Sequence, residues 1–379
     1  MHIGLNAQLL TRAQNYRRAG IHGYIYQLLD HLPVAAPDWH FSAFVGGGDL
    51  PAHSQLVAKR TRWPTERPVV RIAWEQLAQP WQLGSFDLVH ELAFVAPLVM
   101  PRPFVVTVYD LTFIRYPERL TRVRRLYLRL LTGLSCQRAR RVLAISQSTA
   151  DDLVTLLKVP RAKIDLAIPG VEPHFQPLPT AEVAQFRMTH GLPERFWLFV
   201  GTLEPRKNLP MLIRAYAALP ANDRAAVHLI LAGGVGWLSD DIVQTIERYG
   251  LTDTVHLPGY IADVELPLWY NAADAFLYPS VFEGWGLPVT EAMACGVPVI
   301  VSNVSALPEA VGDAGLQIAP NDEAAWTDAL ARSIRDSDWR ADAGQRAKTR
   351  AARFTWAHTA EQTIQSYRRA LIEHSTYAT

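Results

Sequence analysis

A chain of 379 residues, 49% of them apolar, is long enough for two buried cores. Its net charge of +1 excludes the broad positive field of a nucleic-acid binder. Two cysteines, Cys136 and Cys295, exclude a disulfide framework and predict a reducing, cytoplasmic setting.

In chain order, His2 to Ala7 reads as a first buried strand. Its start lacks the basic segment and long apolar core of a signal peptide. A polar loop, Thr11 to Arg18, leads into Ala19-Gly20-Ile21-His22-Gly23-Tyr24. Ile21, Ile25, Leu28, Leu29 and Leu32 then fall on one helical face. A glycine-containing loop between first strand and first helix is where an α/β sheet binds ligands. Further strands are expected at Phe41–Val45, Phe86–His90, Phe104–Val108 and Arg141–Ile145. Helical or loop segments separate them, which predicts a parallel sheet. Gly46-Gly47-Gly48 lacks G-x-G-x-x-G spacing and reads as a turn. Tyr109 and Asp110 end a strand. The phenol can donate or accept one hydrogen bond, and Asp110 can cap the next segment.

Arg115 to Arg141 carries nine arginines against one acid, Glu118, with Leu126, Leu130, Leu131 and Leu134 interleaved. This pattern predicts a basic amphipathic helix of the kind that lies on anionic membrane surfaces. Ser148 is expected to cap a helix running through Lys158, and Ile164–Ile168 to form another strand. The proline-rich run from Pro169 to Pro179 marks the domain boundary. The division expected is 1–172, 173–353, and a last amphipathic helix within 354–379.

After a helix near Ala181–His190, the buried strand at Phe196–Val200 delivers Gly201, Thr202, Arg206 and Lys207. Gly233 to Gly236 has Ser239 at the last glycine position, which excludes NAD binding. A helix is expected at Glu265–Ala273. The strand Ala275–Tyr278 then enters Ser280-Val281-Phe282-Glu283-Gly284-Trp285-Gly286-Leu287-Pro288-Val289-Thr290-Glu291. Pro288 suits a first helical turn, Gly284 and Gly286 admit a close ligand, and a helix start attracts phosphate. Glu283 and Glu291 can accept hydrogen bonds from hydroxyls. Phosphate on backbone and hydroxyls on acids are the needs of a nucleotide sugar. The strand Val297–Val301 follows.

The Glu283-to-Glu291 stretch resembles the E-x7-E signature of retaining glycosyltransferases of family four, and the likeness covers nearly the whole chain. The resemblance implies the GT-B fold: α/β, two Rossmann-like doubly wound parallel-sheet domains facing a cleft. The N-terminal one would bind acceptor, the C-terminal one donor, and the last helix would cross back. Arg206-Lys207-Asn208 matches the family triplet whose cations bind the donor diphosphate. The resemblance further implies that Glu283 holds the donor sugar and Glu291 the ribose. Backbone from Trp285 through Gly286, Leu287 and Pro288 to Val289 would hold sugar and phosphate, and that near Gly259, Tyr260 and Ile261 the nucleobase. Gly20, His22, Tyr109 and Asp110 would face acceptor or sugar. Tyr109 stands where the family often has histidine. Arg71 to Gln76 resembles a segment near the acceptor side.

The expected activity is retaining transfer of a hexose, first mannose from GDP-mannose, to a glycan or polyprenyl-diphosphate-linked acceptor. A non-catalytic nucleotide-sugar-binding subunit and a sugar-nucleotide epimerase are the alternatives. No cofactor and no metal are expected, because the histidines and cysteines lack ligand spacing. Peripheral attachment to the inner face of the plasma membrane, through residues 115–141, is the expected location.

Overall fold

The computed structural model describes residues 1–10, 20–117, 121–234 and 240–376, without the side chains of 122, 123 and 373–376. The polar loop at 11–18, Glu118, Arg119, the Arg122 side chain, Gly236 and Ser239 therefore lie outside the described residues. The chain divides into two compact units, Met1–Gly170 with Thr355–Thr379, and Val171–Phe354.

The first unit holds seven strands: β1 (His2–Asn6), β2 (His40–Val45), β3 (Leu56–Arg60), β4 (Leu88–Glu91), β5 (Phe104–Val108), β6 (Arg141–Ala144) and β7 (Ile164–Leu166). All pairings are parallel, in the order β3-β2-β1-β4-β5-β6-β7. The order reverses between β1 and β4. Val105, Val106 and Val108 of β5 are fully buried, as a strand covered on both faces requires.

The second unit holds β8 (Phe196–Val200), β9 (His228–Ala232), β10 (Val255–His256), β11 (Ala275–Tyr278), β12 (Val299–Ser302) and β13 (Leu316–Ile318). These too pair in parallel, in the order β10-β9-β8-β11-β12-β13, reversing between β8 and β11. Trp197, Tyr216, Tyr278 and Trp326 fill its core. Cys136 and Cys295 are buried and free.

The last helix, Trp356–Thr376, belongs to the first unit. Tyr367 anchors it: its hydroxyl lies 2.5 Å from Nδ1 of buried His90, whose Nε2 lies 2.7 Å from Thr107 Oγ1. Gln362 accepts from the Ile168 N–H at 3.1 Å.

Two expectations are corrected here. Ser146, not Ser148, caps the helix Gln147–Leu157: Ser146 is extended, and its Oγ accepts from the Thr149 N–H at 3.0 Å. Lys158 is the left-handed residue that ends this helix rather than part of it. The arginine-rich stretch is also not one helix. Arg115 ends a separate turn, Thr112–Arg115, with its guanidinium on Asp152. Arg141 is buried in β6 and paired with Asp165 at 2.6 Å. The helix between them is Arg122–Arg138, and Leu126, Leu130 and Leu134 on it are exposed.

Candidate active site

In the second unit, the loops leaving the carboxyl ends of β8 and β11 meet at the point of strand-order reversal, where open α/β sheets place ligands. The β8 loop starts at Gly201 and turns through Pro205–Lys207 before the helix Leu209–Ala217. Gly201 has φ 157°, and Gly233, after β9, has φ 148°. A Cβ on Gly233 would lie 1.8 Å from the Gly201 carbonyl oxygen. The Gly233 N–H in turn donates to the Gly259 carbonyl at 2.7 Å. Three glycine loops thus stack backbone on backbone along this edge. Thr202 is half-buried, Tyr260 exposed and Ile261 buried beside them.

The β11 loop carries Glu283. Its Oε1 accepts from Lys207 Nζ at 2.6 Å, and its Oε2 lies 2.6 Å from Arg206 Nη1. Lys207 also donates to the Tyr278 hydroxyl at 2.6 Å. Arg206 donates to Glu204 at 2.9 Å and to the Phe282 carbonyl at 2.7 Å. The Val281 N–H donates back to the Arg206 carbonyl, so the two loops share a backbone bond. The Glu283 N–H donates to Ser305 Oγ at 2.8 Å. Lys207 and Glu283 are both buried. Burial alone would raise the Glu283 carboxyl, but Arg206 and then Lys207 hold it down at about 2. Burial, reinforced by Arg206, pushes the Lys207 ammonium down to about 8. At neutral pH the cluster is therefore an ion-paired knot of one carboxylate between two cations.

Gly286 precedes the helix Leu287–Ala294 with φ 105°, and Pro288 sits in its first turn. Here an expectation narrows. Pro288 has no N–H, and the Val289 N–H donates to the Gly286 carbonyl at 2.9 Å. Trp285, Gly286 and Leu287 remain as the backbone donors of the stretch; the Trp285 indole itself is buried against Phe354. Glu291, one turn into the helix, belongs to a second cluster. Its Oε2 accepts from the Tyr270 hydroxyl at 2.8 Å. Burial, with Glu172 and Asp263 nearby, raises it to about 7.

The first-unit residues are placed as follows. Gly20 is exposed with φ 76° and precedes the helix Ile21–Ala35, in whose first turn His22 is buried. Asp110 is half-buried, and its Oδ1 accepts from the Thr112 N–H at 2.8 Å, the local turn expected of a cap. Tyr109 is corrected: its hydroxyl donates to the Leu92 carbonyl at 2.7 Å within the core, so that proton is not available to a sugar.

Sequence reading missed Tyr278, Glu204, Ser305 and Tyr270. Tyr278 had a signal, a polar atom ending a buried strand beside the reversal point. Ser305 and Tyr270 approach from distant segments and had none.

Residues 18–175 match the profile described as Glycosyltransferase Family 4, and residues 183–350 that described as Glycosyl transferases group 1. The chain is 32% identical to O-antigen chain mannosyltransferase B of Escherichia coli over 94% of its own length and 98% of that protein's. The chain belongs to glycosyltransferase family four. Among solved structures, this family-four chain resembles sucrose-phosphate synthase of Thermosynechococcus elongatus, with a TM-score of 0.76 at 23% identity, covering 98% of this chain and 99% of that one. It also resembles HepE of Anabaena in complex with UDP and glucose, with a TM-score of 0.72 at 22% identity over 96% and 98%. Both likenesses bear on the fold, which is that of the GT-B glycosyltransferases. Among the described residues of this glycosyltransferase, no helix is long and apolar enough to cross a membrane.

Proposed function

We propose that this glycosyltransferase moves a hexose, first mannose from GDP-mannose, from a nucleoside diphosphate sugar to a glycan or lipid-linked acceptor, with retention of anomeric configuration. The observation that carries the reading is Glu283 clamped between Arg206 and Lys207 beside the Gly286 helix start. An arriving diphosphate offers both cations a stronger partner than one carboxylate. Glu283, released, becomes an acceptor for the donor sugar's hydroxyls, while Glu291 takes the ribose. As the glycosidic bond breaks, Arg206 and Lys207 stabilise the charge left on the diphosphate, which needs no metal in this scheme. Departure and attack on one face of the sugar give retention. The mannosyltransferase relative supports mannose, and the UDP complex of HepE supports a nucleotide in a fold of this kind. The exposed Leu126, Leu130 and Leu134, with the exposed Arg124, Arg125, Arg129 and Arg138 on the same helix, support attachment to an anionic membrane surface.

The test is incubation of the purified chain with a panel of nucleotide sugars and glycan or lipid-linked acceptors, with product configuration read by NMR. An α-linked product from an α-linked donor is expected. An inverted product, or turnover to an epimerised donor, would overturn the reading.

A further inference from the structure

The knot around Lys207 contains one group that the scheme above leaves without a task. Tyr278 ends β11, a strand whose other residues, Ala275, Phe276 and Leu277, are apolar. Its buried ring packs nearly parallel to two others, Phe199 at 5.6 Å and 19°, and Phe276 at 5.8 Å and 23°. A ring so packed keeps its place, and the hydroxyl is fixed where the strand ends. Phenylalanine would fill the same space with no buried oxygen to satisfy. The oxygen present accepts from Lys207 Nζ at 2.6 Å. Burial, then the charge of Glu283, holds the phenol well above its ordinary value, so Tyr278 is a neutral acceptor through the neutral range.

Lys207 reaches that oxygen by a confined route. Its stem passes Gly201, where a Cβ would lie 3.6 Å from Lys207 Cε and 3.1 Å from the Phe199 ring. The turn Pro205–Lys207 closes on Asn208, which is left-handed with φ 56° and donates to the Pro320 carbonyl at 2.6 Å. The backbone is thus pinned, and the ammonium is what can change partners. It has three N–H donors. One goes to Tyr278 and one to Glu283, which leaves the third for a phosphate oxygen. The two acceptors differ in kind. Glu283 is charged, is shared with Arg206, and turns to the sugar in the proposed reaction. Tyr278 is neutral and stays. Arg206 shows the same division: Glu204 at 2.9 Å and the Phe282 carbonyl at 2.7 Å hold its guanidinium whether or not Glu283 does.

We propose that Tyr278 is the positioning residue of Lys207: its hydroxyl keeps the ammonium aimed at the diphosphate once Glu283 has let go. An ammonium on a flexible four-carbon stem spreads over several positions when its last fixed acceptor is removed. This rests on the reading that Lys207 meets the donor diphosphate, and it deepens that reading. Tyr278 touches no reacting atom; its effect passes through Lys207.

Two measurements on the full chain test this with Tyr278→Phe, which keeps the ring and removes one oxygen. The first is NMR of nitrogen-labelled lysine ammonium groups. The other lysines are Lys59, Lys158, Lys163 and Lys348, and the signal missing from Lys207→Ala identifies Lys207. Burial and Arg206 set its ammonium at about 8 in wild type. Loss of an acceptor disfavours the charged form, so in Tyr278→Phe it should titrate lower by about half a pH unit or more. The second is a double-mutant cycle in kcat/KM with Lys207→Ala, using whichever of GDP-mannose, UDP-glucose and dTDP-rhamnose wild type turns over fastest. Tyr278→Phe alone is expected to lose about tenfold, mostly in kcat, and nothing further once Lys207 is alanine. Melting temperature reports that each variant is folded. An unmoved Lys207 titration, wild-type kcat/KM in Tyr278→Phe, or an equal loss in both backgrounds would each overturn the proposal, the last by marking a role in packing alone. Failure of the underlying reading looks different: Lys207→Ala would then turn over donor as fast as wild type.

Discussion

Lys207 carries the sharpest residue-scale expectation. Lys207→Ala removes one of the two cations that the proposed mechanism sets against the developing charge, and losing one such preorganised group costs about 2–4 kcal/mol, on the order of a hundredfold in kcat/KM for donor. Steady-state kinetics against the nucleotide sugar measures it. The pH profile tests the same group. Its ammonium is lowered to about 8, so free-enzyme kcat/KM should fall on the alkaline side as pH passes that value. Lys207→Arg keeps its charge throughout, and its profile should lose that limb whatever its absolute rate. Gly233 is a stability case. A methyl there would sit 1.8 Å from the Gly201 carbonyl, at φ 148°. Gly233→Ala should cost at least the ~1–3 kcal/mol of an overpacked site, read as a lowered Tm.

At the scale of elements, both sheets use buried apolar strands to carry polar residues to their carboxyl ends. Phe196–Val200 is packed into the core and holds the turn with Arg206 and Lys207 rigid. A short helix with a glycine entry and proline in its first turn follows β11 for the same purpose. The caps bear on stability. Ser146→Ala removes the acceptor for the Thr149 N–H and should cost about 0.5–2 kcal/mol in denaturant unfolding. The last helix is tied to its sheet through Tyr367 and His90, both fully buried. Tyr367→Phe leaves the imidazole short of a partner and should cost about 1–3 kcal/mol. Burial drives this histidine down to about 3, so the loss should be independent of pH through the neutral range.

For the whole molecule, the buried carboxyls of the first unit set a pH dependence. Glu91 is raised from 4.5 to about 8 by burial. Its neutral form is the one the folded state prefers, so its contribution is complete below the unfolded value and is lost as pH rises toward about 8. Glu91→Gln should therefore gain stability relative to wild type at pH 9 and not at pH 4. Melting curves of both proteins at the two values decide this, and an unchanged difference would show that Glu91 is ionised in the folded state.

Much was legible in the chain because it is written locally. Continuous apolar runs separated by helical periodicity dictate two parallel-sheet units. The spacing of Glu283, Gly286, Pro288 and Glu291 dictates a strand–loop–helix with a phosphate-ready start. Errors arose where adjacent residues compete for one role, as Ser146 and Ser148 do for a cap, or where like charges in sequence part in space, as Arg115 and Arg141 do. What only the tertiary structure decided is which groups touch. Glu283 is ion-paired to Arg206 and Lys207 because β8 and β11 are neighbours in the sheet, with Trp197 paired in register to Ala275, 78 positions later in the chain. Glu91 meets Asn6 for the same reason in the other sheet. Strand order is a property of the assembled sheet, and the chemistry of a carboxyl group follows from the neighbours that order provides.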